Sequence, residues 1–388
     1  MSARVIESDR TQPWLIIGDH HVWTLQADAQ LYVYDDPAVW VGKGARNNTI
    51  NIYGDIINAG TDGFGLAVMG NHNHFLIGRQ ASISGAVGIS GPGTHAEVVN
   101  RGSINALAYG LFFNGPTDIE NAGTIAAAVA ILAEKGSTIT NGVDGRIIGY
   151  DIGVVLDAGN NRVVNDGVIA GPSFSLVNDG DAATIVNRGR MDGDVALGTG
   201  NDVLDTRAGK IRGNVYGGTG DDTFLLSDVK LDILEDDGEG IDTIRATIDY
   251  SLDAHIERLV LLGKDDLAGT GNVAANYLQG NAGGNSLRGL QGGDILRGGA
   301  GADRLTGGGG ADTFLFIKGD QTEIIRDYDD LIDTLQILDT RFSGFAGLSK
   351  HFETHGSDTW IVLGGDDRII LKGIDAAVLD KNDFEFNA

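Results

Sequence analysis

Between Gly271 and Leu315 the sequence repeats every nine residues. Gly280–Arg288, Gly289–Arg297, Gly298–Thr306 and Gly307–Leu315 run head to tail, and Gly271–Gln279 is a degenerate block in the same register. The sixth residues of the five blocks are Asn276, Asn285, Asp294, Asp303 and Asp312; the eighth are Leu278, Leu287, Leu296, Leu305 and Phe314. This is the pattern Gly-Gly-x-Gly-x-Asp-x-U-x, a glycine-rich turn followed by a short strand that buries U. A flexible glycine linker has no apolar residue at every ninth position, and a helical repeat needs apolar spacing near 3.6. Two nonapeptides make one coil, so blocks alternate between the two sides of a parallel β-roll. Asn276, Asp294 and Asp312 are expected in one column and Asn285 and Asp303 in the other, with Asp303 the only carboxylate on its side. Isolated copies lie upstream: Leu197–Asp205 with Asp202, Gly217–Leu225 with Asp222, and Asp237–Arg245 with Asp242.

A second, longer period precedes the first. A Gly-x-Ile-like element recurs at Gly54, Ala81, Gly102, Gly123, Gly145, Gly167, Gly189 and Gly209, at steps of 20 to 22 residues after the first. Asn100, Asn121, Asn141, Asn165 and Asn187 stand just before, each two residues after a β-branched side chain. Such a unit, with three short β-rich runs ended by Gly or Asn, predicts one coil of a parallel β-helix. Asn and Gly tolerate the left-handed backbone of sharp corners, and stacked coils place equivalent side chains about 4.8 Å apart. The two periods meet within 189–226. The expected architecture is therefore all-β: an N-terminal cap over 1–47, a parallel β-helix over 48–195, a β-roll region over 196–316 and a C-terminal cap and export region over 317–388. Trp14, Trp23 and Trp40 are expected to plug the open end of the first coil.

The nine-residue turns suit calcium, which takes six to eight hard oxygen ligands. Glycine lets the backbone curl so that carbonyls converge, and the sixth residue adds a carboxylate. The candidate ligand set is Asp202, Gly218, Gly220, Asp222, Asp242, Asn285, Gly292, Asp294, Gly299, Gly301, Asp303, Gly308, Gly310 and Asp312. Asn lacks charge, so turns built on Asn276 or Asn285 should bind more weakly than the Asp294–Asp312 pair. The charge follows the turns: residues 1–188 hold 18 acids and 10 bases, residues 189–388 hold 36 and 18. A net charge of −26 argues against nucleic acid and anionic membrane faces as partners. No apolar run is long enough for a membrane span. The absence of cysteine rules out disulfides and thiolate chemistry.

The nonapeptides resemble those of the RTX (repeat-in-toxin, hemolysin-type) calcium-binding proteins exported by type I secretion. Glu323-Ile324-Ile325-Arg326-Asp327-Tyr328 and Asp333-Thr334-Leu335-Gln336-Ile337 resemble the segment that closes the roll in that family, which implies Asp327 and Asp333 as further calcium ligands. Trp360–Leu363 and Asn382–Phe386 resemble its C-terminal export region. The resemblance implies an extracellular protein, with the secretion machinery as a partner, and accounts for the absence of a visible N-terminal signal in the polar stretch Met1–Pro13. The effector motifs of the family are missing: there is no His-Glu-x-x-His, no Gly-x-Ser-x-Gly and no Tyr-Gly-Phe-Asp-Pro-His.

The functional expectation is thus a secreted calcium-binding solenoid with a structural, adhesive or matrix-associated role, facing a polysaccharide or cell surface, and no evident catalysis. The alternative is a polysaccharide lyase or epimerase working on the outer face of the β-helix. Its candidates are Glu97, Asp118 and Glu120, because carboxylates stacked on consecutive coils with a nearby base are what such chemistry needs. His72 and His74, two apart, are weaker candidates for a metal or catalytic pair.

Overall fold

A computed structural model describes residues 3–92, 95–227, 231–338 and 341–386. Strands make up 54% of the chain and helix 3%, with parallel sheets stacked into a β-solenoid of about 16 turns, so the all-β expectation holds. Among the described residues no helix is long and apolar enough to cross a membrane. The chain divides into two compact units, residues 1–220 with 231–234, and residues 221–230 with 235–388.

In the first unit, each coil contributes a short strand to one parallel sheet and a longer one to a second. Ala96–Asn100, Thr117–Asn121, Thr138–Asn141, Asn161–Asn165 and Ala183–Asn187 pair in sequence, with Val98, Ile119, Ile139, Val163 and Ile185 in one register column. Ile83, Ile104, Ile125, Ile147, Ile169 and Met191 form a second column, and all are fully buried. The two apolar runs after each Asn corner do not form separate strands. They merge into strands of up to 12 residues, such as Arg146–Asp157, with register breaks at points such as Gly85/Val87 and Ala127/Val129. An irregularity of this kind bends a strand without ending it, so one of the expected corners is a kink.

Residues 3–47 join the same columns. Val22–Leu25 pairs with Ala3–Ile6 on one side and Thr49–Ile52 on the other, and Trp23 is in register with Ile50, itself in register with Phe75. Trp14 and Trp23 are buried edge to face, with centroids 5.4 Å apart. Trp40 does not join them. Its strand turns Val39 and Val41 inward, and strand alternation sends Trp40 outward opposite Leu15.

In the second unit, successive nonapeptides alternate between two parallel sheets. Tyr277–Gln279, Ile295–Arg297 and Thr313–Ile317 pair in one; Ala268–Thr270, Ser286–Gln291 and Ala302–Gly309 pair in the other. The eighth residues stack inward: Leu278, Leu296 and Phe314 on one side, Leu287 and Leu305 on the other. The second sheet continues through Thr322–Ile325 to Asp367–Leu371, which turns antiparallel against Asp358–Gly364.

Candidate metal centre

Each turn of the roll brings the side chain of its sixth residue back over its first glycine. A Cβ added to Gly289 or Gly307 would collide with Oδ2 of Asp294 or Asp312. Glycine is needed there for space. Elsewhere in the turn it is needed for conformation: Gly299, Gly301, Gly308 and Gly310 have φ of 88°, 133°, 109° and 133°.

The sixth residues are tied into columns by one recurring bond. The Asn276 amide donates to Asp294 Oδ1 (2.7 Å), that of Asp294 to Asp312 Oδ1 (2.8 Å), and that of Asp312 to Asp333 Oδ1 (3.0 Å). On the other side, the Asn285 amide donates to Asp303 Oδ1 (2.6 Å). These residues are all buried. One oxygen of each acid is thereby satisfied. The other oxygen of Asp294 and Asp303 is buried with no hydrogen-bond donor, although buried polar atoms are nearly always paired. Burial, reinforced by the Asp312 charge, pushes the Asp294 carboxyl up to about 6. Burial, reinforced by Asp320 and Asp266, pushes Asp303 up to about 7. Asp312 and Asp333 are raised for the same first reason. Columns of buried acids with raised proton affinity, of which Asp294 and Asp303 each hold an oxygen ready to accept, fit a hard divalent cation.

The remaining sequence candidates fall into distinct surroundings. Asp202, in the first unit, accepts the Ala183 amide, and Gly218 and Gly220 adopt φ of 91° and 124°. Asp222 and Asp242 are joined by the Asp222 amide donating to Asp242 Oδ1 (2.8 Å), and the Asp242 amide donates to Glu257 Oε2 (2.9 Å). Glu235 joins them: Asp222, Glu235 and Asp242 are all buried and offer carboxylate oxygens within 4.8 Å of one another. Burial, with the charge of Glu257, raises Asp242 to about 6. Asp333 continues the Asp294–Asp312 column, its Oδ2 accepting the Asp329 amide. Asp327 is exposed and accepts the amides of Gly307 and Gly308 (3.0 Å each).

Three acids of this region were missed by the repeat pattern. Glu235 and Glu257 lie outside any nonapeptide. Glu323 lies in register with Asp303 and is buried, so Asp303 is not the sole acid of its column. The lengthening of the coil after Thr306 conceals it, since a further step of 18 from Asp303 lands on Gln321.

On the first unit, Glu97 and Asp118 are adjacent in register, as expected, and Glu120 follows two residues on; all three are exposed. His74 Nε2 lies 3.7 Å from Glu97 Oε1, and the His72 ring stacks on His95 at 4.8 Å. No two of these acids are buried together, in contrast to the roll.

Residues 279–314 match the family model of the RTX calcium-binding nonapeptide repeat, in four copies. No curated protein matches the sequence. Among solved structures, the extracellular lipase LipA from Serratia marcescens is similar at 14% identity and a TM-score of 0.22, over 59% of this chain and 44% of that one. The chain thus spans less than half the length of that lipase.

Proposed function

We propose that this chain, which carries RTX calcium-binding repeats in a β-solenoid, is a secreted protein whose roll folds on extracellular calcium and whose role is structural, adhesive or matrix-associated. The observation that carries the reading is the pair of columns in which buried Asp294 and Asp303 each hold an oxygen with no donor. Two unit charges about 5 Å apart at an effective dielectric near 20 repel by about 3 kcal/mol. The glycines of the turns add backbone entropy that folding must overcome. Calcium reverses the first term and supplies folding free energy to offset the second. Extracellular calcium modules bind at about 10⁻⁴–10⁻³ M, above cytosolic levels, so the roll would stay open inside the cell, fit for export by the type I machinery, and close outside. The ligands are the sixth-position acids, the convergent glycine carbonyls of the turns, and Asp327 and Asp333 where the roll ends.

Calorimetric titration of the full chain with calcium chloride, followed by circular dichroism, tests this. Saturable binding in the millimolar range with a gain of β signal is expected. No binding up to about 10 mM would exclude the calcium reading. A glycan array probed with and without calcium tests the adhesive role, which requires calcium-dependent retention of at least one polysaccharide.

A further inference from the structure

The nonapeptides on the second sheet end at Thr306, yet their acid column does not. Glu323, from the strand Thr322–Ile325, lies directly opposite Asp303 in the parallel register. Its Oε1 accepts the Gly298 amide (3.1 Å), and Asp303 Oδ1 accepts the Asn285 amide (2.6 Å). Glu323 Oε2 and Asp303 Oδ2 are buried without a hydrogen-bond donor, in residues exposed by 2% and 0%. A Cβ on Gly298 would sit 2.5 Å from Asp303 Oδ2 and 2.6 Å from Glu323 Oε2, so the two oxygens lie within about 5 Å of each other. Of the two cations whose charge acts on these acids, Arg304 on Asp303 and Arg297 on Glu323, Arg297 is already engaged, donating twice to buried Asp320 at 2.8 and 3.0 Å. Among the described residues no ion pair reaches Asp303 or Glu323.

We propose that Glu323 is a cation ligand lying outside the repeats, and that a divalent cation shared between it and Asp303 fastens the C-terminal segment to the roll. The proposal rests on the calcium reading above. Two carboxylates carry the charge that one divalent cation neutralises, and their oxygens converge over a glycine that leaves the space open. Calcium suits such a site better than magnesium, which demands near-ideal octahedral geometry and gives up its waters reluctantly. The consequence is mechanical. Thr322–Ile325 also pairs with Asp367–Leu371, and Asp367 accepts the amides of Gly319 and Gln321 (3.1 and 3.2 Å). The ion that joins Glu323 to Asp303 therefore joins the closing hairpin to the repeats, and docking of that segment becomes part of calcium binding.

The test compares the full-length protein with Glu323→Gln, and with Asp294→Asn as a control on the other column. Calorimetry with calcium chloride and hydrogen exchange in calcium or chelator are read for each. Glu323→Gln should lose one ion, or weaken one class of site about tenfold or more. It should also lose calcium-dependent protection of 322–325 and 358–371 while 286–297 keeps it. Asp294→Asn should leave 322–371 responsive. If Glu323→Gln does not fold, Glu323→Asp, which keeps the charge but not the reach, should bind with the same stoichiometry and lower affinity. Unchanged stoichiometry, affinity and C-terminal protection in Glu323→Gln would overturn the proposal while leaving calcium binding by the repeats intact. A wild-type chain that binds no calcium would overturn both.

Discussion

Both units run a column of buried polar side chains up one corner of the coils, but the two columns are chemically opposite. In the first, Asn100 Nδ2 donates to Asn121 Oδ1, Asn121 to Asn141, Asn141 to Asn165 and Asn165 to Asn187, each at 2.8 Å. The same amides also donate to corner carbonyls such as Thr124 O and Val168 O. An amide is both donor and acceptor, so the ladder satisfies itself. In the second unit, the Asp294 and Asp312 carboxylates receive one backbone N–H each, from Asn276 and Asp294, and have nothing to donate. The first column is closed by side-chain to side-chain bonds between strand-ending amides, whereas the second, held by backbone N–H to carboxylate bonds just before each strand, leaves acid oxygens that accept and cannot donate.

The largest expected effect separates the columns by chelation. In hydrogen exchange on the full chain, removing calcium should abolish protection across 286–315 and leave 96–187 protected. Equal protection of both regions in calcium and in chelator would mean that the acidic columns stand without an ion.

Exchanging the chemistry of the columns sharpens the comparison. Asn141→Asp removes the donor to Asn165 Oδ1 and to the carbonyls of Gly145 and Val168, and places a carboxylate in a fully buried position. Leaving such groups unsatisfied costs about 1–3 kcal/mol each, so the first unit should be destabilised by about 3 kcal/mol or more, with or without calcium. Rescue of the melting temperature by calcium would break the comparison, because a carboxylate alone would then suffice to make a cation site. The reverse exchange, Asp294→Asn, should stabilise the metal-free roll slightly and reduce the calcium-induced rise in melting temperature.

Acidity offers a milder lever with a definite sign. Asp242 and Asp294 are held near 6 and Asp303 near 7, against an ordinary 3.8. The folded state therefore binds protons more tightly than the unfolded one, and this stabilisation is complete below about pH 4 and lost as pH rises through 6–7. The metal-free roll, open at pH 7.5, should regain part of its protection over 286–315 at pH 5, while calcium affinity should rise from pH 5 to 7.5, because the cation must displace those protons. Protection of 286–315 in chelator that grows from pH 5 to 7.5 would contradict the placement of these acids.

How much of this could be read in advance follows from what sets each position. Asp294 over Asp312 and Leu287 over Leu305 follow from a strict 18-residue coil, and the Asn ladder from an amide at a fixed place in each longer coil. Glu323 and Glu235 could not be found that way, because neither lies in a nonapeptide: Glu323 reaches its column from a strand after a lengthened coil, and Glu235 joins Asp222 and Asp242 from a segment outside any strand. Trp40 departs from the expected plug for a different reason. Its partners at Val39 and Val41 are the inward pair, and a tryptophan count carries no phase. The sequence pattern gives the turn glycines a conformational role, letting the backbone curl; at Gly289 and Gly307 the structure adds a steric one, because an acid oxygen takes the volume of a side chain.

The smallest expected effect comes from a departure within the repeats. In the last three blocks the second position turns left-handed, at Gly299 and Gly308 and, in the block Gly289–Arg297, at Leu290, with φ of 89°. Leu290 is in register with Gly308, so the roll imposes the same conformation on a residue poorly suited to it. A left-handed backbone costs an ordinary residue about 1–2 kcal/mol, and glycine returns roughly 0.5–1 kcal/mol of that through its greater freedom in the unfolded chain. Leu290→Gly should therefore stabilise the calcium-bound roll by less than about 1 kcal/mol and lower the calcium concentration needed to fold it by a small factor. The midpoint of a calcium titration followed by circular dichroism measures this. A midpoint moved upward would mean that the half-buried leucine side chain contributes more through packing than its backbone loses through strain, and that the acidic column is not the sole determinant of how much calcium the roll requires.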